Sequence, residues 1–150
     1  MSTAKLIAQR LTARLQAITQ ANGYRSNLGQ HVYRGRLAID EDTPASVTIA
    51  ELDEDGTQKP GRRSALCKLT QRYALEALAH CDPDHPNDAA HDLIHDIQRA
   101  IFGPLDPTLG GAAADLRYLT RRINPRDFGT TRVLASVEIE VDYVEDLAAP

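Results

Sequence analysis

The chain has 150 residues and a net charge of −4, from 21 acidic and 17 basic side chains. With 42% hydrophobic and 25% charged residues it has the composition of one ordinary globular domain. That excludes collagen, wholesale disorder and a helical membrane channel, since no apolar run reaches the roughly 18 residues of a membrane span. Trp is absent and aromatics are 5%, which argues against a domain that binds nucleic acid by base stacking. The two cysteines, Cys67 and Cys81, make no disulfide framework. The N-terminal apolar residues fall at helical spacing and do not form an apolar h-region, so no signal peptide is expected.

Charge is segregated along the chain. Residues 1–39 hold six bases (Lys5, Arg10, Arg14, Arg25, Arg34, Arg36) and no acid; residues 40–55 hold seven acids (Asp40, Glu41, Asp42, Glu51, Asp53, Glu54, Asp55) and no base. Blocks of this kind either neutralise each other within the molecule or match opposite faces of neighbouring copies.

In chain order, residues 3–21 predict an amphipathic helix with Ile7, Leu11, Leu15 and Ile18 on one stripe, Ser2 or Thr3 as cap, and Asn22-Gly23 as stop. Residues 31–39 alternate as a strand, and residues 46–52 as a second. Residues 53–64 contain Gly56, Pro60 and Gly61 and predict a long polar loop, mobile in an isolated subunit. Residues 65–79 combine a period of two with the helix-forming run Ala74-Leu-Glu-Ala-Leu-Ala79; the unbroken alternation favours a strand. Asp84 or Asn87 is expected to cap a helix over 87–102, with Ala90, Leu93, Ile94, Ile97 and Ile101 on its apolar face. Residues 103–114 read as a loop and 116–123 as a short strand. Residues 132–144 form the clearest strand, with Val137, Ile139, Val141 and Tyr143 toward the helices and Glu138, Glu140 and Asp142 on the opposite face. Residues 145–150 read as a loose tail. The order α-β-β-β-α-β-β gives a single α+β domain over 1–150, a mostly antiparallel sheet of four to five strands packed by two helices.

Few residues suggest chemistry. His91 and His95, at i and i+4, have the helical spacing of a zinc motif, with Asp92 where such motifs carry the Glu base and His80, Cys81 or His85 upstream as a third ligand. The opposing reading is of two solvated positions beside the apolar stripe, and it is preferred. No P-loop, dinucleotide fingerprint or Gly-x-Ser-x-Gly occurs, and a Ser26, His31, Asp40 triad exists on paper only. Arg117, Arg121, Arg122, Arg126 and Arg132 are read as cross-strand partners for Glu138, Glu140 and Asp142 in preference to a phosphate site.

In outline the chain resembles the tail terminator, or tail completion, proteins of long-tailed bacteriophages, the family that includes minor tail protein U of lambdoid phages. The resemblance rests on the helix Ile7–Ile18 closed by Ala21-Asn-Gly-Tyr24 and on Val32-Tyr-Arg-Gly-Arg36. It continues through the helix from Ala89 to Ile101 and Tyr118-Leu-Thr-Arg-Arg-Ile-Asn-Pro125 to the strand Val133–Tyr143. It covers nearly the whole chain, as a pattern of element order without an invariant chemical signature.

The resemblance implies a non-enzymatic virion protein, without cofactor, that assembles as a ring, commonly a hexamer, on the last ring of tail-tube protein. It implies that the ring stops tube growth and offers a surface to the head completion or neck protein, and that DNA crosses its lumen without specific binding. It places the protein at the head-proximal end of the tail, with assembly in the host cytoplasm and no membrane partner. Arg34, Arg36, Lys59, Arg62 and Arg63 are the expected subunit or tube contacts, and Glu138, Glu140 and Asp142 an acidic face toward the lumen or a neighbour. The competing expectations are a head-side connector or neck adaptor and a zinc hydrolase centred on His91 and His95.

Overall fold

The computed structural model describes residues 2–35, 44–58, 64–125 and 129–149. Helix α1 (Thr3–Gln16) is followed by β1 (Val32–Arg34), β2 (Ser46–Thr57), β3 (Leu66–His80), α2 (Pro86–Phe102), β4 (Asp115–Ile123) and β5 (Arg132–Asp146). The five strands form one sheet in the order β1-β2-β3-β5-β4. Only β1–β2 is parallel; the other three pairings are antiparallel. The α+β order expected from the sequence is the order observed.

The centre of the sheet is the β3–β5 ladder, in register from Leu66↔Asp146 to His80↔Arg132. The segment with competing helix and strand signals is therefore a 15-residue strand. Its alternating apolar face, Cys67, Leu69, Tyr73, Leu75, Ala77 and Ala79, is buried. A helix would have spread those side chains around its circumference and left half of them in water. On β5 the residues Val133, Ala135, Val137, Ile139, Val141 and Tyr143 are buried in the same layer. Ile7, Leu11, Leu15 and Ile18 of the first segment and Leu93, Ile94, Ile97 and Ile101 of α2 close the core over that face.

Strands of 15 residues span roughly 50 Å, whereas helices of 14 and 17 residues span roughly 21–26 Å. The helices are therefore shorter than the strands they pack on. Past Ala50 every residue of β2 is exposed, and Glu51–Thr57 projects as the outer strand of an arm whose other strands are the ends of β3 and β5. A register shift interrupts β2–β3 between Glu51 and Glu54 and another interrupts β4–β5 between Tyr118 and Thr120. The pairings Glu51↔Tyr73, Tyr73↔Ile139 and Tyr118↔Ile139 put both irregularities at one level of the sheet.

Several boundaries differ from the expectation. The first helix ends at Gln16, not residue 21: Ala17 caps it, and Thr19 caps a separate one-turn 3₁₀ helix, Gln20–Asn22, before Gly23 turns left-handed at φ 84°. Ser2 is the N-cap, its hydroxyl accepting from Lys5 N at 3.2 Å. For α2 neither Asp84 nor Asn87 caps; His85 holds the N-cap position without a side-chain bond, and Pro86 occupies the first turn. The expected loop at 53–64 is strand through Thr57, because Glu54–Thr57 pairs with Gln71–Lys68 despite its low strand propensity; residues 59–63 lie outside the described residues. The expected tail begins later than 145, since β5 continues to Asp146 and Leu147 N donates to Ala65 O. Of the strand expected over 31–39, Val32–Arg34 is observed and 36–39 lie outside the described residues.

One carboxylate holds the connector between α1 and β1 in place. Asp96 is fully buried on the inner side of α2. Its Oδ1 accepts from Arg25 N at 3.1 Å, and its Oδ2 from Ser26 N at 2.8 Å and Ser26 Oγ at 2.7 Å. One turn away Arg99 donates to Gly23 O at 2.8 Å and lies over the Tyr24 ring. Asp96→Ala strands three donors, two of them backbone, and is expected to cost about 2–4 kcal/mol. For a domain of this length that lowers the melting temperature by about 5–15 °C, readable by circular dichroism; a shift under about 2 °C would count against the anchoring role.

Candidate functional site

The helix-free face of the sheet carries the acids named from sequence. Glu138, Glu140 and Asp142 alternate on β5, beside Arg117 of β4 and Arg72 of β3, through the pairings Arg117↔Glu140 and Arg72↔Glu140. Arg117 is the hub. Its Nη2 lies 2.6 Å from Glu140 Oε1, and its Nη1 2.5 Å from Asp142 Oδ2 and 2.8 Å from Asp115 Oδ2. Arg72 Nε approaches Glu140 Oε2 at 3.5 Å, and the Thr70 hydroxyl donates to Asp142 Oδ1 at 2.7 Å. Hydrogen bonds from Arg117 hold the Asp142 carboxyl below the usual carboxylate range. The same bonds, from Asp142 first and then Glu140 and Asp115, raise the guanidinium further. Glu140 and Asp142 are thus satisfied within the chain, as the cross-strand reading expected for Arg117. Arg72 and Thr70 were not foreseen as participants, although the alternation of 65–79 already placed them on that polar face.

Arg34 is elsewhere. It is exposed at the end of β1, at the opposite border of the sheet from β4. With Gly35, Ile49 and Glu51 it lines an open cavity of about 450 Å³. Arg36, Lys59, Arg62 and Arg63 lie outside the described residues. Arg126 is also outside the described residues.

His91 and His95 are both exposed on α2. Their neighbour Asp92 is taken by Arg25, at 2.7 Å. Among the described residues no group of three or more His, Cys, Asp or Glu side chains could hold a metal ion. Cys67 is buried, Cys81 half-buried, and both are free thiols. No helix among the described residues is long and apolar enough to cross a membrane.

The charge blocks do not neutralise each other among the described residues. Two bases of the first block, Arg25 and Arg14, turn to α2 and the loop after it. Arg25 pairs with Asp92; Arg14 donates to Ile101 O at 2.6 Å and to Asp106 O at 2.7 Å. The Asp106 carboxylate accepts from Thr108 N and Gly110 N and locks that loop. From the acidic block Glu54 accepts from the Tyr143 hydroxyl. Glu51, Asp53 and Asp55 are exposed on β2 and form no ion pair among the described residues.

No protein-family model matches the chain, and no curated protein matches it. It is similar to a chain of the solved structure "Virion of native gene transfer agent (GTA) particle", at 10% sequence identity, over 90% of this chain and 91% of that chain, with a TM-score of 0.45.

The depressed Asp142 carboxyl sets a pH dependence. Its bond to Arg117 contributes fully above the unfolded aspartate value of about 3.9, and the contribution is lost as pH falls through the lower folded value. The pair is solvent-accessible, so its worth is about 1 kcal/mol or less. Asp142→Asn is therefore expected to melt slightly lower than the parent at pH 6–7, with the gap closing below about pH 4. A gap independent of pH would show that the carboxylate charge is not what matters.

Proposed function

We propose that the chain is a non-enzymatic structural protein of a phage-like virion, which forms a ring on the head-proximal end of a tail tube, stops tube growth and presents a surface for head attachment. The observation that carries this reading is the one-sided sheet. Both helices pack on one face, and the other face, some fifteen residues long at its centre, carries no helix. A domain built this way offers its largest regular surface to a lumen or to neighbours. The element order that the resemblance to tail terminators rests on supports the same reading.

In this reading the helix-free face borders the lumen. Its acids are matched in part by Arg117 and Arg72, so it presents DNA with a wall of mixed and slightly negative charge. Such a wall releases few counterions on contact and holds phosphate weakly, which suits a channel that DNA must cross without being held. The partners are further copies of the chain, the tube protein below and a head completion or neck protein above.

The test is to polymerise the tail-tube protein encoded in the same genome with and without this protein and to image the tubes by negative stain. Tubes of bounded length with one extra ring at a single end are expected. Tubes of unchanged length distribution with bare ends would overturn the terminator role. Binding to a portal or neck ring in place of the tube would move the protein to the head side. A further expectation concerns DNA: rings of the Glu138→Gln, Glu140→Gln, Asp142→Gln triple variant should retain duplex DNA that parental rings let pass in a filter-binding assay at about 0.1 M salt, where the screening length is about 10 Å.

A further inference from the structure

Among the described residues the sheet ends in two open borders of opposite charge. At one border β4 is terminal, and only β5 pairs with it. Its residues Tyr118, Leu119, Thr120, Arg121 and Arg122 are all exposed, and neither Arg121 nor Arg122 forms an ion pair among the described residues. At the other border, among the described residues, β1 covers β2 at Val47–Ile49, with Gly35 N reaching Ile49 O. Beyond that point nothing among the described residues pairs with the outer edge of β2, which runs Glu51, Leu52, Asp53, Glu54, Asp55, all exposed. An open strand edge is a row of unsatisfied N–H and C=O groups, ready to pair with another strand.

We propose that the β4 edge of one copy adds to the distal β2 edge of a second copy, so that the sheet continues from subunit to subunit. This rests on the self-assembly part of the reading above and names its interface. Three features on the molecule favour it. Charge admits the pairing β4 to β2 and opposes β2 to β2 and β4 to β4, which would set acids against acids and arginines against arginines. The permitted contact is therefore heterologous, the kind that closes into a ring when the rotation allows. Strand direction agrees as well: β2 and β5 run the same way, each being antiparallel to β3, and β4 runs against β5. Copies sharing one orientation thus meet with β4 antiparallel to β2.

The third feature is register. Tracing Arg121 across the sheet through Val137 and Leu75 puts it level with Ile49, where β1 already occupies the edge. An incoming β4 must slide away from β1. A slide of about three or four residues brings Arg121 and Arg122 level with Glu51, Leu52 and Asp53, and closing a sheet into a barrel requires a stagger of this kind. Tyr118 and Leu119 then lie farther along the arm, level with Glu54 and Asp55.

The experiment reverses the charges on each edge and then on both. Assembly is followed by light scattering across protein concentration, alone and on tail tubes, with circular dichroism as the folding control. Arg121→Glu with Arg122→Glu, and separately Glu51→Arg with Asp53→Arg, should each raise the concentration for half-assembly at least tenfold. The chain carrying all four substitutions should regain assembly, since its edges again attract. As an independent readout, amide exchange in residues 51–55 and 121–123 of the parental protein should slow on assembly. Full assembly by the Arg121, Arg122 variant, or assembled parental protein with unprotected edge amides, would overturn the edge pairing and leave the ring standing on another interface. A parental chain that stays monomeric at every concentration and on tubes would overturn both. Four folded substitutions that fail to restore assembly, after each pair has abolished it, would show that charge does not select the partner edge.

Discussion

The β3–β5 ladder is the constraint on which the rest of the domain depends. It is the longest pairing in the chain and stands at the centre of the sheet. Its strict alternation divides every side chain between a core face and a solvent face. Tyr73, Leu75, Ile139 and Val141 cannot be buried on one side without Arg72, Glu138, Glu140 and Asp142 being delivered to the other. The polar network around Arg117 is thus the obligatory reverse of the hydrophobic core. A one-residue slip would exchange the two, which is why both faces read as one coherent design.

The ladder is also too long for its helices, and that mismatch divides the molecule into unlike parts. Over the base, α1 and α2 seal the core, and the connector between α1 and β1 is fastened by Asp96, Arg99 and the pair Arg25–Asp92. Over the arm, past Ala50, β2 is exposed on both sides, while Cys67, Leu69 and Tyr143 on the strands beside it stay in the core and Thr3 N at the start of α1 reaches Glu145 of β5. Glu51, Asp53, Glu54 and Asp55 of the acidic block fall on that arm, whereas Arg14 and Arg25 of the basic block are spent on α2 and the loop locked by Asp106. The segregation visible along the chain therefore survives into three dimensions as an acidic border with no ion-pair partner among the described residues, Glu54 alone being bonded, to the Tyr143 hydroxyl.

Much of this was legible beforehand. Periodicity located both helices and all five strands, most directly for α2, β3 and β5, which bury one face and carry that burial in their pattern. The β5 assignment followed from alternation; the cross-strand pairing expected of the arginine cluster holds for Arg117 with Glu140 and Asp142, while Arg121, Arg122 and Glu138 form no ion pair among the described residues. What could not be read were features fixed by tertiary partners. Asp53-Glu-Asp-Gly-Thr57 looks like a turn by propensity, and it is strand because β3 continues beside it. Asp96 looked like one more polar helix residue; its position among Leu93, Ile97 and Ala100 was the available signal of burial. The edges were invisible because strand order, not strand content, decides which strands are terminal. The basic contacts expected at Arg36, Lys59, Arg62 and Arg63 lie where the described residues give no account.

The two register shifts lie at one level, on β2 and β4, with the unbroken row Tyr73–Ile139 between them. A bulge bends its strand and sharpens the local twist. Two bulges on flanking strands at one height crease the sheet along a transverse line. Tyr73, fully buried at that line, stiffens the fold there. The two bulges therefore bend the sheet between base and arm at that line. A sheet joined edge to edge through such arms would share the crease around its whole circumference, so that a change of slant in one arm is passed to the next as geometry, with no altered contact in any core.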